Sequence, residues 1–457
     1  MNHLLREVLP TLGLDDSYAA ARLELAPGSA LPAALPVGTL AVGSVAAAAL
    51  AGAALRGAGR VQVDPRQVAV SFRGDQVLTL DGRREPGFTP LSGFFEASDG
   101  WVRTHANYPH HRDRLLRALG LPDGAGREDA TRVIRRRSAQ EVEDTVTADH
   151  GIAVRVRSLR EWMAGDQAAA VQRHDVLAVN AEGDAPSVSV PRRPRVLDLT
   201  RVIAGPVATR TLAHLGCDVL RVDSPTLPEL PAQHLDTDSG KRSTLVDLHD
   251  EHARERLHAL LAGADVLVTG YRPGALAAYG LDPDHLAEVH PQLVCATLSA
   301  WTPSGPWGPR RGFDSIVQAA TGIALLESTD GERPGALPAQ ALDHATGYLL
   351  AAGVLTALRR RAERGGTWRV EAHLARTAHW LLQTDALDGP AAPVDDPTPW
   401  VSATDTELGR VVQSRPAFAV EGMPAQFGWA GRPWGSDEPE WADAGPGSRP
   451  AAGAAGG

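Results

Sequence analysis

The second half of the chain alternates short apolar runs with longer amphipathic ones. "RVLDLT" (195–200), "DVLRVD" (218–223), "STLVDL" (243–248), "ADVLVTG" (264–270), "QLVCATLS" (292–299) and "WRVEAH" (368–373) have the continuous apolar character of buried strands. Helical patterns lie between them. "GPVATRTLAHLG" carries Pro206 in a first turn and Gly216 as its stop. A second helix covers 250–263, and a long Ala- and Leu-rich one begins near Asp343. Strands separated by helices of this length predict βαβ units, hence an α/β fold with a parallel sheet covered on both faces.

The first half has a different rhythm. "SGFFEASDGWVRTHA" (92–106) reads as a strand, a turn at Asp99-Gly100 and a strand. An amphipathic helix follows and ends at Gly120. Another, over 138–151, has Ser138 and Glu141 in capping-box spacing, and "LREWMAGD" adds a short third. This pattern predicts a smaller α+β domain. The expected organisation is a truncated large-domain-like segment (1–75), the small domain (76–181), a Pro-rich linker (182–194), the large α/β domain (195–390), a closing segment (391–441) and a disordered tail (442–457). Residues 39–72 also echo residues 341–374: each runs as an Ala-rich helix, an Arg/Gly stop and a strand. Where the second copy has Asp343, the first has Thr39 or Leu40.

Composition changes this picture little and excludes several functions. Of the 457 residues 43% are apolar and 22% charged, as in an ordinary globular protein long enough for two or three domains. The net charge of −10 argues against non-specific nucleic-acid binding and against an anionic membrane surface. An anionic ligand must therefore find a local basic site. Cys217 and Cys295 sit in apolar runs and read as reduced core thiols of a cytoplasmic protein. The first residues lack a signal-peptide apolar region. The uncharged stretch 31–55 is long enough to span a bilayer, but its Ala, Gly and Pro content favours a buried helix.

Familiar chemical motifs are scarce. "RVIAGP" has one glycine where a dinucleotide fingerprint needs three. There is no P-loop, no metal-ligand spacing and no Gly-x-Ser-x-Gly elbow. The histidines of "HANYPHHR" (105–112) read as a solvated connection. What remains is a series of phrases in fixed order: "VLDLTRVIAGPVATRTLAHLGCDVLRVDSP", "GKRSTLVDL", "ADVLVTGYRPGALAAYGLDPDHLAEVHPQLVCATLSAW", "SGPWGPRRGFDSIVQAATGI" and "LDHATGYLLAAGVLTALRRR". Together they resemble the family III CoA-transferases, closely over about 193–385. "SGFFEASDGWVRTHANYPHHRDRLLRALGLPD" resembles the same family's small domain, which normally follows the large one, so the chain looks tandem or permuted.

The resemblance implies a Rossmann-like large domain, acyl-CoA and a small carboxylic acid as substrates, and no permanently bound cofactor or metal. It also implies a homodimer, although the permuted order puts the family's interlocked form in doubt. It maps the CoA site to Arg201 and Ala204 after the first strand of the second half, Lys241 and Arg242 beside the third, and Gly270, Tyr271 and Arg272 after the fourth. Physically, cations and helix N-termini at the C-terminal edge of a parallel sheet suit phosphates, and an aromatic ring suits adenine. Asp343 matches the family's nucleophilic aspartate. Its place at a helix start admits two readings: a nucleophile kept ionised by the helix dipole, or an N-cap.

Three departures weigh on this. Ala278 and Ser224 stand where the family often carries basic residues, which opens the alternative of an inactive CoA-binding homologue. Phe313 stands where the racemase branch has a histidine, and His344, adjacent to Asp343, is expected to point elsewhere on its helix, which disfavours α-methylacyl-CoA racemisation.

Overall fold

The computed structural model describes residues 1–85 and 87–442. The expected tail from residue 443 lies outside the described residues. The large sheet has seven strands: β1 (Ala178–Glu182), β2 (Arg195–Leu199), β3 (Asp218–Asp223), β4 (Arg242–Leu245), β5 (Val266–Thr269), β6 (Val294–Ser299) and β7 (Thr367–His373). Their spatial order is β4-β3-β2-β5-β6-β7-β1. Strands β2 to β7 run parallel, and β1 closes one edge antiparallel to β7. The chain leaves β2 in one direction and resumes beyond it at β5. That reversal opens a crevice at the C-terminal ends of β2 and β5. The six parallel strands are those read from the apolar runs. β1 was missed: "AVNAE" has too little apolar content to declare itself, and it reaches one residue past the expected domain boundary at 181.

The small antiparallel sheet joins Gly93–Ala97, Gly100–Thr104 and Ala153–Arg155. Helices Pro109–Leu119, Arg127–Ile134 and Ala139–Ala148 cover it around a separate core that includes Phe95, Val102, Leu116 and Val142.

The internal echo is structural. Helix Val37–Arg56 leads into strand Val61–Val63 and helix Pro65–Phe72; helix Ala341–Arg364 leads into β7 and helix Leu374–Gln383. The two long helices pack along each other in one continuous core. Each is long and apolar enough to cross a membrane, yet each lies buried inside the protein. Strands Val401–Thr406 and Gly409–Ser414 of the closing segment pair with each other, and the second of them pairs with Thr79–Leu80. Trp434 and Trp441 then anchor the segment to the large domain, donating to Asp223 and to the Leu260 carbonyl.

Candidate active site at the strand-order reversal

A cavity of about 340 Å³ opens at the crevice between β2 and β5. The large domain contributes Arg201, Val202, Ile203 and Ala204 after β2, Gly270, Tyr271 and Arg272 after β5, Arg310 to Phe313, and Asp343. The small domain contributes Tyr108, His110 and His111. Thus Arg201, Ala204, Gly270, Tyr271, Arg272 and Asp343 line one cavity.

Lys241 and Arg242 do not. Lys241 is wholly buried, with its Nζ 3.1 Å from Asp198. Burial lowers its pKa, and Asp198 and Asp238 oppose that shift. Arg242 is the first residue of β4, at the sheet edge remote from the crevice. It donates to Asp218 at 3.0 Å and to the Glu440 carbonyl. Proximity in sequence to a strand did not specify which end of the strand.

Asp343 is the third residue of its helix, and Gln340 is the N-cap. The cap acceptor comes from elsewhere. Asp314 Oδ2 accepts from the N–H groups of Leu342 and Asp343 at 2.8 and 3.0 Å. The N-cap reading of Asp343 is therefore overturned. So is the expectation of a carboxylate favoured by its helix end. Burial, and then the Asp314 charge, raise the Asp343 pKa well above the usual carboxylate range. Asp314 is itself pushed up to about 6, chiefly by burial. The signal for Asp314 was present in "RGFDS", an acid opening the next helix, but its partner lies 28 residues away.

His105 and His111 are buried rather than solvated. His105 stacks flat on Phe313 with ring centroids 3.8 Å apart, and His111 meets the same ring edge-on. Burial pushes their pKa values down to about 3 and about 2, so both are neutral. His344 turns away and stacks on Phe72, 4.9 Å distant.

The cavity lining is basic, with Arg201, Arg272, Arg310 and Arg311. Arg311 donates to the His150 carbonyl at 3.1 Å, Arg114 from outside the lining donates to the same carbonyl at 3.2 Å, and Arg272 donates to the Pro309 carbonyl. Among the described residues none of these three has a carboxylate at ion-pair distance, whereas Arg310 pairs with Glu143 at 2.9 Å. Burial, with Arg272 and Arg114 nearby, lowers the Arg311 pKa to about 10. Arg114 and Arg311 were not singled out in the sequence, since a pair split between two domains leaves no local spacing. Among the described residues no three His, Cys, Asp or Glu side chains gather as metal ligands would.

The site is thus a basic crevice in a parallel sheet with a buried acid on its wall. The family model for CoA-transferase family III matches residues 194–409. A formyl-CoA:oxalate CoA-transferase of Streptomyces avermitilis is 30% identical over 288 residues, covering 54% of this chain and 68% of that protein. The chain belongs to the family III CoA-transferases. A probable fatty acyl-CoA transferase of Mycobacterium tuberculosis is 36% identical over 184 residues, 37% of this chain and 47% of that protein. An acetyl-coenzyme A transferase of Hypoxylon pulicicidum is 29% identical, covering 64% and 54% respectively. The chain thus spans about half the length of these two relatives. Among solved structures, a hypothetical protein of Mycobacterium tuberculosis is 34% identical with a TM-score of 0.39, over 43% of this chain and 57% of that one. A CaiB/BaiF family protein of Brucella suis is 25% identical with a TM-score of 0.38, over 49% and 65%.

Proposed function

We propose that this protein moves CoA from an acyl-CoA thioester to a carboxylic acid, with Asp343 as the covalent nucleophile. A carboxylate oxygen of Asp343 attacks the thioester carbonyl. The C–S bond breaks, CoA leaves as thiolate, and a mixed anhydride remains. The thiolate then attacks the Asp343 carbonyl carbon and releases the donor acid, leaving an aspartyl-CoA thioester. The acceptor carboxylate attacks that thioester and expels the thiolate again. The thiolate finally takes the new acyl group from the anhydride and regenerates the Asp343 carboxylate. Each step is easier than direct exchange between two poor partners.

One observation carries the reading: Asp343 is buried on the cavity wall, its charge is disfavoured there, and it caps nothing. On this reading the Rossmann-like sheet supplies the crevice, and Tyr271 offers a ring face for adenine. Arg114, Arg272 and Arg311 supply phosphate contacts that Ser224 and Ala278 do not. The chain is read as a truncated first copy, contributing the small domain, fused to a second copy contributing the large one. The racemase alternative stays disfavoured, because Phe313 stands where that branch has its histidine and His344 turns away to stack on Phe72.

The test is incubation with a panel of acyl-CoAs, hydroxylamine trapping and mass spectrometry of the Asp343 peptide. An Asp343 hydroxamate is expected. No adduct and no CoA exchange across the panel would favour the inactive CoA-binding homologue instead.

A further inference from the structure

The residue after Arg201 has an unusual backbone. Val202 has φ 71°, and of the three described non-glycine residues in the left-handed region it alone is β-branched. A β-branched side chain crowds the backbone in that region, so the conformation persists only where surroundings impose it. Glu229 is what imposes it. Its Oε2 accepts from the Val202 N–H at 3.1 Å and from Arg221 Nη2 at 3.0 Å. Its Oε1 accepts from the Leu230 N–H at 3.0 Å and from the Tyr108 hydroxyl. The side chain is wholly buried. Burial acts to raise its pKa, but Arg221 and Arg201 outweigh it and hold the group ionised.

The twist at Val202 sets the course of the next two residues, which open helix Ala204–His214 and line the Asp343 cavity. Among the described residues neither the Ile203 nor the Ala204 N–H has a hydrogen-bond acceptor. Helix Ala341–Arg364 approaches this turn closely: a Cβ on Gly347 would lie 2.4 Å from the Ala204 carbonyl oxygen. Free amides beside a buried nucleophile are the arrangement that stabilises an oxyanion.

We propose that Glu229 is a positioning residue that clamps the strained Val202 turn and thereby presents the Ile203 and Ala204 amides to the carbonyl oxygen attacked by Asp343. This rests on the transferase reading. Tyr108 ties the clamp to the small domain, so the donors are set only when the two domains are docked.

The test compares Glu229→Gln, Val202→Gly and the double variant in the full chain. Glu229→Gln leaves one acceptor oxygen for the four donors and removes the charge that Arg221 and Arg201 face, so the clamp is weakened, while Arg221 keeps Asp223 at 2.8 Å. The single Glu229→Gln change is expected to lower kcat about 10- to 100-fold with KM for acyl-CoA nearly unchanged. Glycine adopts positive φ without strain. In the Glu229→Gln background Val202→Gly should therefore recover most of the lost kcat. A loss confined to KM, or no recovery in a double variant with a wild-type Tm, overturns the clamp. If Glu229→Gln melts below the assay temperature, Glu229→Asp runs the same comparison with the charge kept and the reach shortened. A wild type without any CoA exchange sinks the transferase reading itself and the clamp's chemical role with it. A wild type that turns over while Glu229→Gln does so equally sinks the clamp alone.

Discussion

The two long core helices begin alike. Pro36 and Gln340, their N-caps, have φ,ψ of −75°,60° and −75°,63°. In each case an aspartate from outside the helix accepts from its second and third N–H groups: Asp388 for Gly38 and Thr39, Asp314 for Leu342 and Asp343. The third residue differs. Thr39 donates its hydroxyl to Asp388 at 2.7 Å and so completes its cap. Asp343 sets a second carboxyl beside Asp314 and has its pKa driven up. One fold solves the same capping problem twice, with a helpful residue once and a costly one once. A residue that costs stability where a neutral one serves points to chemistry rather than architecture.

The comparison breaks hardest at that third residue. Asp343→Asn is expected to abolish CoA exchange, a loss on the order of 10³-fold or more if a nucleophile has been removed. Thr39→Asp, the reciprocal change, should create no activity and should lower Tm, because it places a like charge against Asp388. Steady-state exchange assays and thermal melts on both variants check this. Residual exchange in Asp343→Asn within about tenfold of wild type would return the acid to a structural role.

Glycines farther along the first turns give the next largest contrast. Matching the helices by their N-caps sets Gly43 opposite Gly347. A Cβ on Gly347 meets the Ala204 carbonyl oxygen at 2.4 Å, a backbone atom that cannot swing away. On Gly43 the nearest atom is Asn2 Oδ1 at 2.4 Å, a side-chain atom that caps helix His3–Leu12, with Leu4 Cβ at 2.9 Å behind it. Gly347→Ala should cost about 1–3 kcal/mol by overpacking and disturb the Val202 turn. The gain of about 1 kcal/mol in helix propensity is common to both variants, so the ranking rests on what the Cβ meets, and Gly43→Ala, facing side-chain atoms, should cost less. Denaturant unfolding of the two variants gives the ranking.

Much of this was legible beforehand, and the gaps have physical causes. The parallel strands showed because strands buried on both faces must be apolar. The convergence of Arg201, Tyr271, Arg272 and Asp343 followed from register with a known family. The role of Asp314 was hidden because a cap donated across 28 residues leaves no local spacing. Lys241 was misassigned because a lysine next to a strand reads the same whether it faces solvent, ligand or, as here, a buried Asp198. His105 and His111 were misjudged because burial of a polar cluster depends on Phe313, far along the chain in another domain. β1 was missed because an antiparallel edge strand needs little apolar surface.

The stability side of the Asp343 contrast depends on pH. Its pKa is raised in the folded protein, so the fold binds the proton that the unfolded chain has already released. Stability is therefore lost as pH rises above the unfolded carboxylate range near about 4, and the penalty is complete above the raised folded value. Asp343→Asn should accordingly raise stability at neutral pH, by about 1 kcal/mol. That gain should shrink toward zero as pH falls to about 4, where both states of the wild type take up the proton. A gain independent of pH would mean that packing, not charge, separates the variant from the wild type.

The smallest expected effect separates the two capping acids. Asp314→Ala and Asp388→Ala each remove an acceptor for two helix N–H groups, worth about 1 kcal/mol apiece. Only Asp314 lies beside Asp343, and its charge helps raise the Asp343 pKa. On the proposed mechanism exchange requires ionised Asp343, so the acid limb of the pH–rate profile would report that pKa. Asp314→Ala should move the limb to lower pH, whereas Asp388→Ala should leave it in place while melting equally early. A limb that stays fixed in Asp314→Ala would assign the raised Asp343 pKa to burial alone.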